Sequence, residues 1–205
     1  ILPIYNSIKS HGADVKIIKK PSELIKVDKL VFPGVGATNQ IMNYLSQNNY
    51  INEIKNFANS KKKILGICAG MQIMGKILTE NNVCNGLNFF DSEVLPLSKD
   101  ISSKNTNIGW LNVETKDDKK SYYFCHSYYM KFQNKKTNLT IGHINLLCDV
   151  PAIIKNDNII GVQFHPEKSQ TNGRNLIKNF LNDKIEKKYK NYTFTSPKKK
   201  KTGKG

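Results

Sequence analysis

The chain has 205 residues, of which 39% are hydrophobic, and 32 Lys and Arg against 16 Asp and Glu give a formal charge of +16. This length suits one domain with a core of its own, and the recurring apolar clusters exclude a chain that is disordered throughout. No apolar stretch approaches the roughly 20 residues of a membrane-spanning helix, and the opening residues do not resemble a secretory leader.

The opening 36 residues alternate helical and strand-like patterns, which predicts a parallel sheet covered by helices. We expect a helix over 1–12, a strand over 13–18 and a turn at Pro21. A second strand over 29–32 then runs into a loop over 33–36. Because a fold of this kind normally begins with a strand, we expect the first strand of the domain to be missing from this sequence.

The rest of the chain continues the alternation. A helix is expected over 41–58, a buried strand over 63–67 and a second helix over 71–78. Short strands with polar turns occupy 83–135. Three strands and a final helix follow, over 144–148, 152–156, 159–164 and 172–183. The predicted fold class is therefore α/β, with a mostly parallel central sheet flanked by helices and an antiparallel extension from 83–135.

The excess charge is concentrated at the end of the chain. Residues 184–205 hold nine Lys and one Glu, half of the net charge, so we divide the chain into a domain over 1–183 and a Lys-rich tail without fixed structure. Arg174 is the single Arg, whereas proteins that read bases rely on Arg forks. A solvated surface with a basic tail is therefore favoured over nucleic-acid binding.

A nucleophile elbow is indicated around Cys68. The apolar strand over 63–67 leads into Gly66-Ile67-Cys68-Ala69-Gly70 and then into a helical pattern. Such a sharp turn lifts a reactive side chain above the sheet, and its flanking glycines let backbone segments approach closely. The alternative is that Cys68 is a small buried apolar residue, the usual fate of a free Cys.

A second motif supplies a base and its orienting group. In Gln163-Phe164-His165-Pro166-Glu167 a strand ends at a His, and a carboxylate follows two residues later. Side chains at i and i+2 on extended backbone point the same way, so Glu167 can hold the His165 ring. Otherwise His165 only ends a strand and Glu167 is solvated.

Together with Pro33-Gly34-Val35-Gly36 and Tyr123-Phe124-Cys125-His126-Ser127-Tyr128-Tyr129, these motifs resemble the class I (triad) glutamine amidotransferases. Among them, the chain is most similar to the HisH-type glutaminase subunit of imidazole glycerol phosphate synthase. The resemblance covers residues 1 to about 182. It implies that glutamine is hydrolysed and that the ammonia passes to a (β/α)₈-barrel synthase in histidine biosynthesis, within a cytoplasmic heterodimer.

The resemblance also implies roles for individual residues. Cys68 would be the nucleophile, His165 the general base and acid, and Glu167 the group that orients His165. The oxyanion hole would be formed by the loop residues Gly34, Val35 and Gly36 together with the amide of Ala69. The residues expected to line the glutamine pocket are Gln72, His126, Ser127, Tyr128 and Tyr129. No cofactor, metal ion or membrane partner is expected.

Three alternatives remain open. The family usually has Leu at the position of Ala69 and His-Met-Gly-Trp-Asn where this chain has Asn107-Ile108-Gly109-Trp110-Leu111. A paralogous glutaminase that supplies ammonia to a surface-sugar amidotransferase is therefore the close alternative. A cysteine peptidase of related fold and a basic nucleic-acid-binding protein are the more distant ones. Four scattered cysteines without a CxxC pair indicate a reduced, cytosolic setting rather than a disulfide or zinc framework.

Overall fold

The computed structural model describes residues 1–133 and 139–182. Its helices, in chain order, are α1 (Leu2–Lys9), α2 (Thr38–Gln47), α3 (Tyr50–Asn59), α4 (Ala69–Gln72) and α5 (Gln170–Leu181). Its strands are β1 (Lys29–Phe32), β2 (Lys63–Ile67), β3 (Ile77–Leu78), β4 (Cys84–Asn85), β5 (Ser92–Pro96), β6 (Asn107–Glu114), β7 (Lys119–His126), β8 (Tyr128–Phe132), β9 (Thr140–Asn145), β10 (Asp149–Asn156) and β11 (Ile159–Val162). The predicted tail, 184–205, and the predicted domain boundary lie outside the described residues.

The predicted α/β class is confirmed. A seven-stranded sheet has the order β1-β2-β11-β10-β9-β6-β7. The pairs β1–β2 and β2–β11 are parallel, and from β11 outward the neighbours are antiparallel. A second sheet, of order β4-β3-β5-β8, lies beside it. The predicted antiparallel extension from 83–135 is present, and β9 and β10 join it to the parallel strands.

Helices pack on both faces of the central sheet. Successive side chains of β2 point to opposite faces of the sheet. Leu65 packs in the core with Ile177 and Phe180 of α5. Ile64 packs in the core on the other face, with Ile54 of α3. All five side chains are buried. Burial of apolar surface on two opposed faces is the main stabilising contribution to such a three-layer fold, and it holds the carboxyl end of β2 rigidly.

One predicted strand is wrong. Residues 13–18 run without strand pairing beside β1, although the helix expected over 1–12 is present as α1 and the turn at Pro21 is a short 3₁₀ helix. A groove of about 690 Å³ separates 13–18 from β1. The free edge of β1 pairs with no strand among the described residues. A strand needs a neighbour to satisfy its backbone groups, and the groove holds 13–18 away from the free edge of β1.

Two predicted helices differ from the observed elements. The helix expected over 41–58 is divided into α2 and α3, because Asn49 adopts a left-handed conformation with φ of 59° that ends the helical path. The helix expected over 71–78 is only the single turn α4, and Ile77–Leu78 instead forms β3, which pairs with β4 and β5. Pairing within the second sheet overrides the local helical pattern.

The remaining predicted elements are present with shifted ends. The strands expected over 29–32 and 63–67 are confirmed as β1 and β2. Those expected over 144–148, 152–156 and 159–164 correspond to β9, β10 and β11, and the final helix is α5. Within residues 1–133 and 139–182, no helix is both long enough and apolar enough to cross a bilayer.

Candidate active site

Cys68 occupies the sharp turn between β2 and α4. Its backbone has φ of 50° and ψ of −112°, a combination that is strained for any residue with a Cβ and that is seen mainly at functional sites. The turn is held by three hydrogen bonds: the Cys68 amide donates to the Val162 carbonyl at 2.8 Å, and the amides of Met71 and Gln72 donate to the Cys68 carbonyl. The geometry is that of a nucleophile elbow.

The glycines on either side of Cys68 are required by close backbone contacts. A Cβ on Gly70 would lie 2.2 Å from the carbonyl oxygen of Phe32 in β1, and a Cβ on Gly66 would lie 2.4 Å from the carbonyl oxygen of Gly70. Neither distance is possible for a real side chain, so the strand, the turn and β1 can pack this closely only with glycine at both positions.

His165 lies just after β11 and contacts both Glu167 and Cys68. Its Nδ1–H donates to Oε1 of Glu167 at 2.9 Å, so the other ring nitrogen is the one left for the Cys68 thiol. Burial lowers the pKa of His165, but the hydrogen bonds to Cys68 and Glu167 outweigh it and raise the pKa to about 10. The three side chains therefore meet in the order thiol, imidazole, carboxylate.

Ser169 anchors the backbone that carries His165. Its hydroxyl donates to the His165 carbonyl at 2.6 Å and accepts from the Tyr123 amide at 2.9 Å, while the His165 amide donates to the Tyr123 carbonyl. Ser169 is almost fully buried. Its role is visible only in the folded structure, because its partners on Tyr123 lie 46 positions away in sequence.

The loop over 33–36 packs directly on Cys68. A Cβ on Gly34 would lie 2.5 Å from the Cys68 Cβ, and Gly36 has φ of 90°, which favours glycine. Val35 is exposed. Opposite the loop, the Ala69 amide is the first of α4 and has no acceptor within its own helix. The predicted oxyanion residues thus lie next to Cys68, Ala69 in sequence and Gly34 in space.

Behind the loop, the start of α2 is fixed by an acidic side chain. One carboxylate oxygen of Glu80 accepts hydrogen bonds from the Thr38 amide at 2.7 Å and from the Thr38 hydroxyl at 3.0 Å. Thr38 is fully buried. The loop is therefore tied at its carboxyl end, and a change in its conformation is confined to the residues before Thr38.

The predicted glutamine-pocket residues are only partly brought together. Nε2 of Gln72 donates to the Tyr128 carbonyl at 2.9 Å, and Nδ1 of His126 donates to the same carbonyl at 2.8 Å. The hydroxyl of Ser127 is instead 2.8 Å from that of Thr106. Tyr129 is buried in the same apolar core as Cys68, where burial raises the pKa of its phenol.

His126 is held as a neutral imidazole. Burial lowers its pKa to about 4, only partly opposed by the Tyr128 carbonyl, and the nearby His165 lowers it further. Since a carbonyl can only accept, Nδ1 carries the proton and Nε2 accepts from the Asn107 amide at 3.0 Å. A second positive charge beside His165 is thereby avoided.

The site is closed to solvent in this structure. Cys68, Gln72, His126 and His165 all have less than a tenth of their surface exposed. The large groove beside β1 is lined by α1, residues 13–18 and β1, and Cys68 is not part of its wall. Entry of a substrate therefore requires movement of a covering element, and the 33–36 loop packs against Cys68 through Gly34.

The sequence profile described as "Glutamine amidotransferase class-I" matches residues 3–184. The chain belongs to the class I glutamine amidotransferase family. This amidotransferase is 36% identical over 182 residues to HisH 1 of Campylobacter jejuni strain RM1221, a subunit of imidazole glycerol phosphate synthase. The match covers 83% of this chain and 88% of that protein. The HisH subunit of Sulfurimonas denitrificans is 33% identical over 188 residues, covering 86% and 90% of the two chains.

Solved structures support the fold of this amidotransferase. A crystal structure of a glutamine amidotransferase superposes with a TM-score of 0.71 at 17% identity, covering 88% of this chain and 92% of that one. The structure of PurLQS from Thermotoga maritima gives a TM-score of 0.67 at 15% identity, with 89% and 92% coverage. Among the residues that the structure describes, no group of His, Cys, Asp and Glu side chains could hold a metal ion.

Proposed function

We propose that this amidotransferase hydrolyses glutamine with Cys68, His165 and Glu167 and passes the ammonia to a synthase subunit that makes imidazole glycerol phosphate. The observation that carries the proposal is the contact of the His165 ring with Cys68 on one side and with Glu167, at 2.9 Å, on the other. The similarity to HisH subunits over more than four fifths of the chain supports the choice of synthase.

The first half of the reaction forms a thioester. The Cys68 sulfur attacks the side-chain amide carbon of glutamine as a thiolate, because His165, with its pKa of about 10, already holds the thiol proton near neutral pH. The carbonyl oxygen becomes an oxyanion, which the Ala69 amide and an amide of the 33–36 loop stabilise. When the intermediate collapses, the C–N bond breaks and His165 gives its proton to the leaving nitrogen, which departs as ammonia.

The second half returns the enzyme to its starting state. A water molecule attacks the thioester carbon while His165, now neutral, takes one of its protons. The C–S bond breaks, glutamate leaves, and the site returns to a thiolate beside a charged His165. Glu167 keeps Nδ1 protonated and the ring aimed at the sulfur through both halves. Its carboxylate stabilises the positive charge of His165 at the start and again after water has attacked.

The 33–36 loop couples the site to the partner in this proposal. Because the loop covers Cys68, glutamine enters only after it has moved, and Gly34 and Gly36 permit the backbone change. Near the site, β6 presents two exposed apolar side chains, Ile108 and Trp110, beside Gly109 with φ of 136°. An exposed apolar pair on a sheet suits contact with a second subunit.

The proposal is tested by comparing two cysteine variants in the presence of the synthase subunit from the same genome. Cys68→Ala is expected to lower ammonia release from glutamine by at least a thousandfold, since the nucleophile is lost. Cys84→Ala is the matched control, because Cys84 is a partly buried thiol in β4, outside the site, and it is expected to retain near-parental turnover. Full turnover by Cys68→Ala would contradict the proposal.

The same assay distinguishes the alternative partners. Glutamine-dependent formation of imidazole glycerol phosphate by the complex supports the histidine assignment. Glutaminase activity that rises only with a sugar amidotransferase would support the paralogous function, and peptide cleavage without ammonia release would support a peptidase.

A further inference from the structure

Gln163 places a fully buried amide against the nucleophile. It immediately follows β11, and its backbone amide donates to the Ala152 carbonyl of β10 at 2.9 Å, which fixes the main chain. Its side chain has no solvent exposure, and its Nε2 lies 3.7 Å from the Cys68 sulfur, within hydrogen-bond range for sulfur. Gln163 lies two residues before His165, in the bend that follows β11, so both side chains reach the Cys68 thiol from the same segment.

The orientation of the Gln163 amide follows from its neighbours. The Tyr128 carbonyl can only accept a hydrogen bond, so the atom of Gln72 that faces it at 2.9 Å is Nε2. The same Nε2 lies 3.1 Å from the Gln163 amide and needs an acceptor for its second hydrogen, so the facing atom of Gln163 is Oε1. The donor end of the Gln163 amide is then directed at Cys68.

The Cys68 sulfur therefore has a donor and an acceptor beside it. The Cys125 carbonyl, at 3.6 Å, can accept from the thiol but repels a thiolate. The Gln163 Nε2–H donates to sulfur in either form and more strongly to the anion, since hydrogen bonds to charged groups are about twice as strong as neutral ones. Of these two neighbours, only Gln163 favours the reactive form.

We propose that the amide of Gln163 is a further catalytic group, which donates a hydrogen bond to the Cys68 sulfur and stabilises its thiolate. Gln72 is a positioning residue, which holds this amide with its donor end toward the sulfur. This inference rests on the proposed function. It also changes the role of Gln72: both hydrogens of its amide are used inside the protein, so they are not available to a substrate while the pair is intact.

The test measures thiolate formation directly, independently of turnover. In the folded 205-residue chain, the rate at which iodoacetamide modifies Cys68 is followed against pH by peptide mass spectrometry, with the exposed Cys148 of the same molecules as reference. The titratable groups of the site, among the described residues, are His165, which contacts Cys68, Glu167, which contacts His165, and His126 on β7, which lies near His165. They are present in all the variants compared, so their contribution is common to every profile.

Gln163→Met keeps the length of the side chain and removes the donor. Its midpoint for Cys68 modification is expected to move up by about one pH unit, while the rate of Cys148 modification is unchanged. Gln72→Met should shift the midpoint in the same direction but by less, because the Gln163 amide is free to turn. The double variant should then add little to Gln163→Met alone.

Val162→Ala is the matched control. It removes buried apolar volume from the residue next to Gln163 while leaving every donor in place, so it should lower the free energy of unfolding and leave the midpoint unchanged. An unchanged midpoint in Gln163→Met, or an equal shift in Val162→Ala, would overturn the inference. Glutaminase activity of the parent chain is measured separately, so failure of the proposed function and failure of this inference give different results.

Discussion

His126 and His165 are two buried imidazoles at one site with opposite proton affinities. Glu167 and Cys68 raise the pKa of His165 to about 10, whereas burial lowers that of His126 to about 4. Only one of the rings therefore carries charge near neutral pH. The difference arises from the partners: an anionic carboxylate faces His165, whereas His126 has only a carbonyl and an amide.

The low pKa of His126 predicts acid destabilisation of the fold. Between pH 6.5 and about 4 the unfolded chain binds a proton at the His126 ring, whereas the folded chain does not. The contribution of His126 to the free energy of unfolding is therefore fully present above pH 6.5 and is lost as the pH falls toward 4. The loss at pH 5 is about 2 kcal/mol. In His126→Gln, the free energy of unfolding should fall less between pH 7.5 and pH 5, as measured by urea titration; an equal fall in both proteins would contradict this.

At the residue scale, local spacing predicted some of the contacts and missed others. The contact predicted from the two-residue separation of His165 and Glu167 is present at 2.9 Å, although a 3₁₀ helix over Pro166–Lys168, rather than the expected extended backbone, brings it about. The role of Gln163, two residues before His165, was not predicted. Its contact with Gln72 lies 91 positions away in sequence, so only the folded sheet reveals why its donor faces the sulfur.

At the element scale, the turn after β2 depends on its contact with β1. Gly70→Ala would place a methyl group 2.2 Å from the Phe32 carbonyl oxygen, so β1 and α4 would have to separate. We expect this change to lower the free energy of unfolding by about 1–3 kcal/mol, the usual cost of overpacking, and to impair glutaminase activity. Urea unfolding monitored by circular dichroism measures the first effect.

Gly75→Ala is the control for that substitution. Its added Cβ would meet the Ser92 hydroxyl at 3.1 Å, a milder contact with the end of a small side chain. It should therefore cost less stability than Gly70→Ala. Equal losses of unfolding free energy in the two variants would contradict the expectation that the close contact of Gly70 with β1 determines how well this turn packs.

Most strands of the central sheet were predictable from the apolar pattern, whereas β3 and the run over 13–18 were not. The apolar run over 63–67 forms β2 because β1 and β11 flank it on both sides. The equally strand-like run over 13–18 remains unpaired beside a groove. The apolar pattern of a segment shows that it can form a strand, whereas hydrogen bonding to a neighbouring strand decides whether it does so. The left-handed Asn49 that divides α2 from α3 has no distinctive neighbours in the sequence.

At the scale of the whole molecule, the order of the strands was beyond sequence reasoning. The pattern predicted short strands over 83–135, and it could not show that β6 and β7 continue the central sheet while β3, β4, β5 and β8 form another. These pairings join residues far apart in sequence. They nevertheless determine the site, since β7 and β8 bring the Cys125 and Tyr128 carbonyls to Cys68 and Gln72.

The central claim is that Cys68 forms a covalent bond to the glutamyl group, and trapping that bond tests it most directly. The complex with its synthase subunit is mixed with glutamine, quenched in acid during turnover, digested and examined by mass spectrometry. We predict a glutamyl adduct on the peptide that contains Cys68, with none on the peptides of the other three cysteines and none in Cys68→Ala. Steady ammonia release without any adduct at Cys68, or with an adduct at another cysteine, would contradict the account.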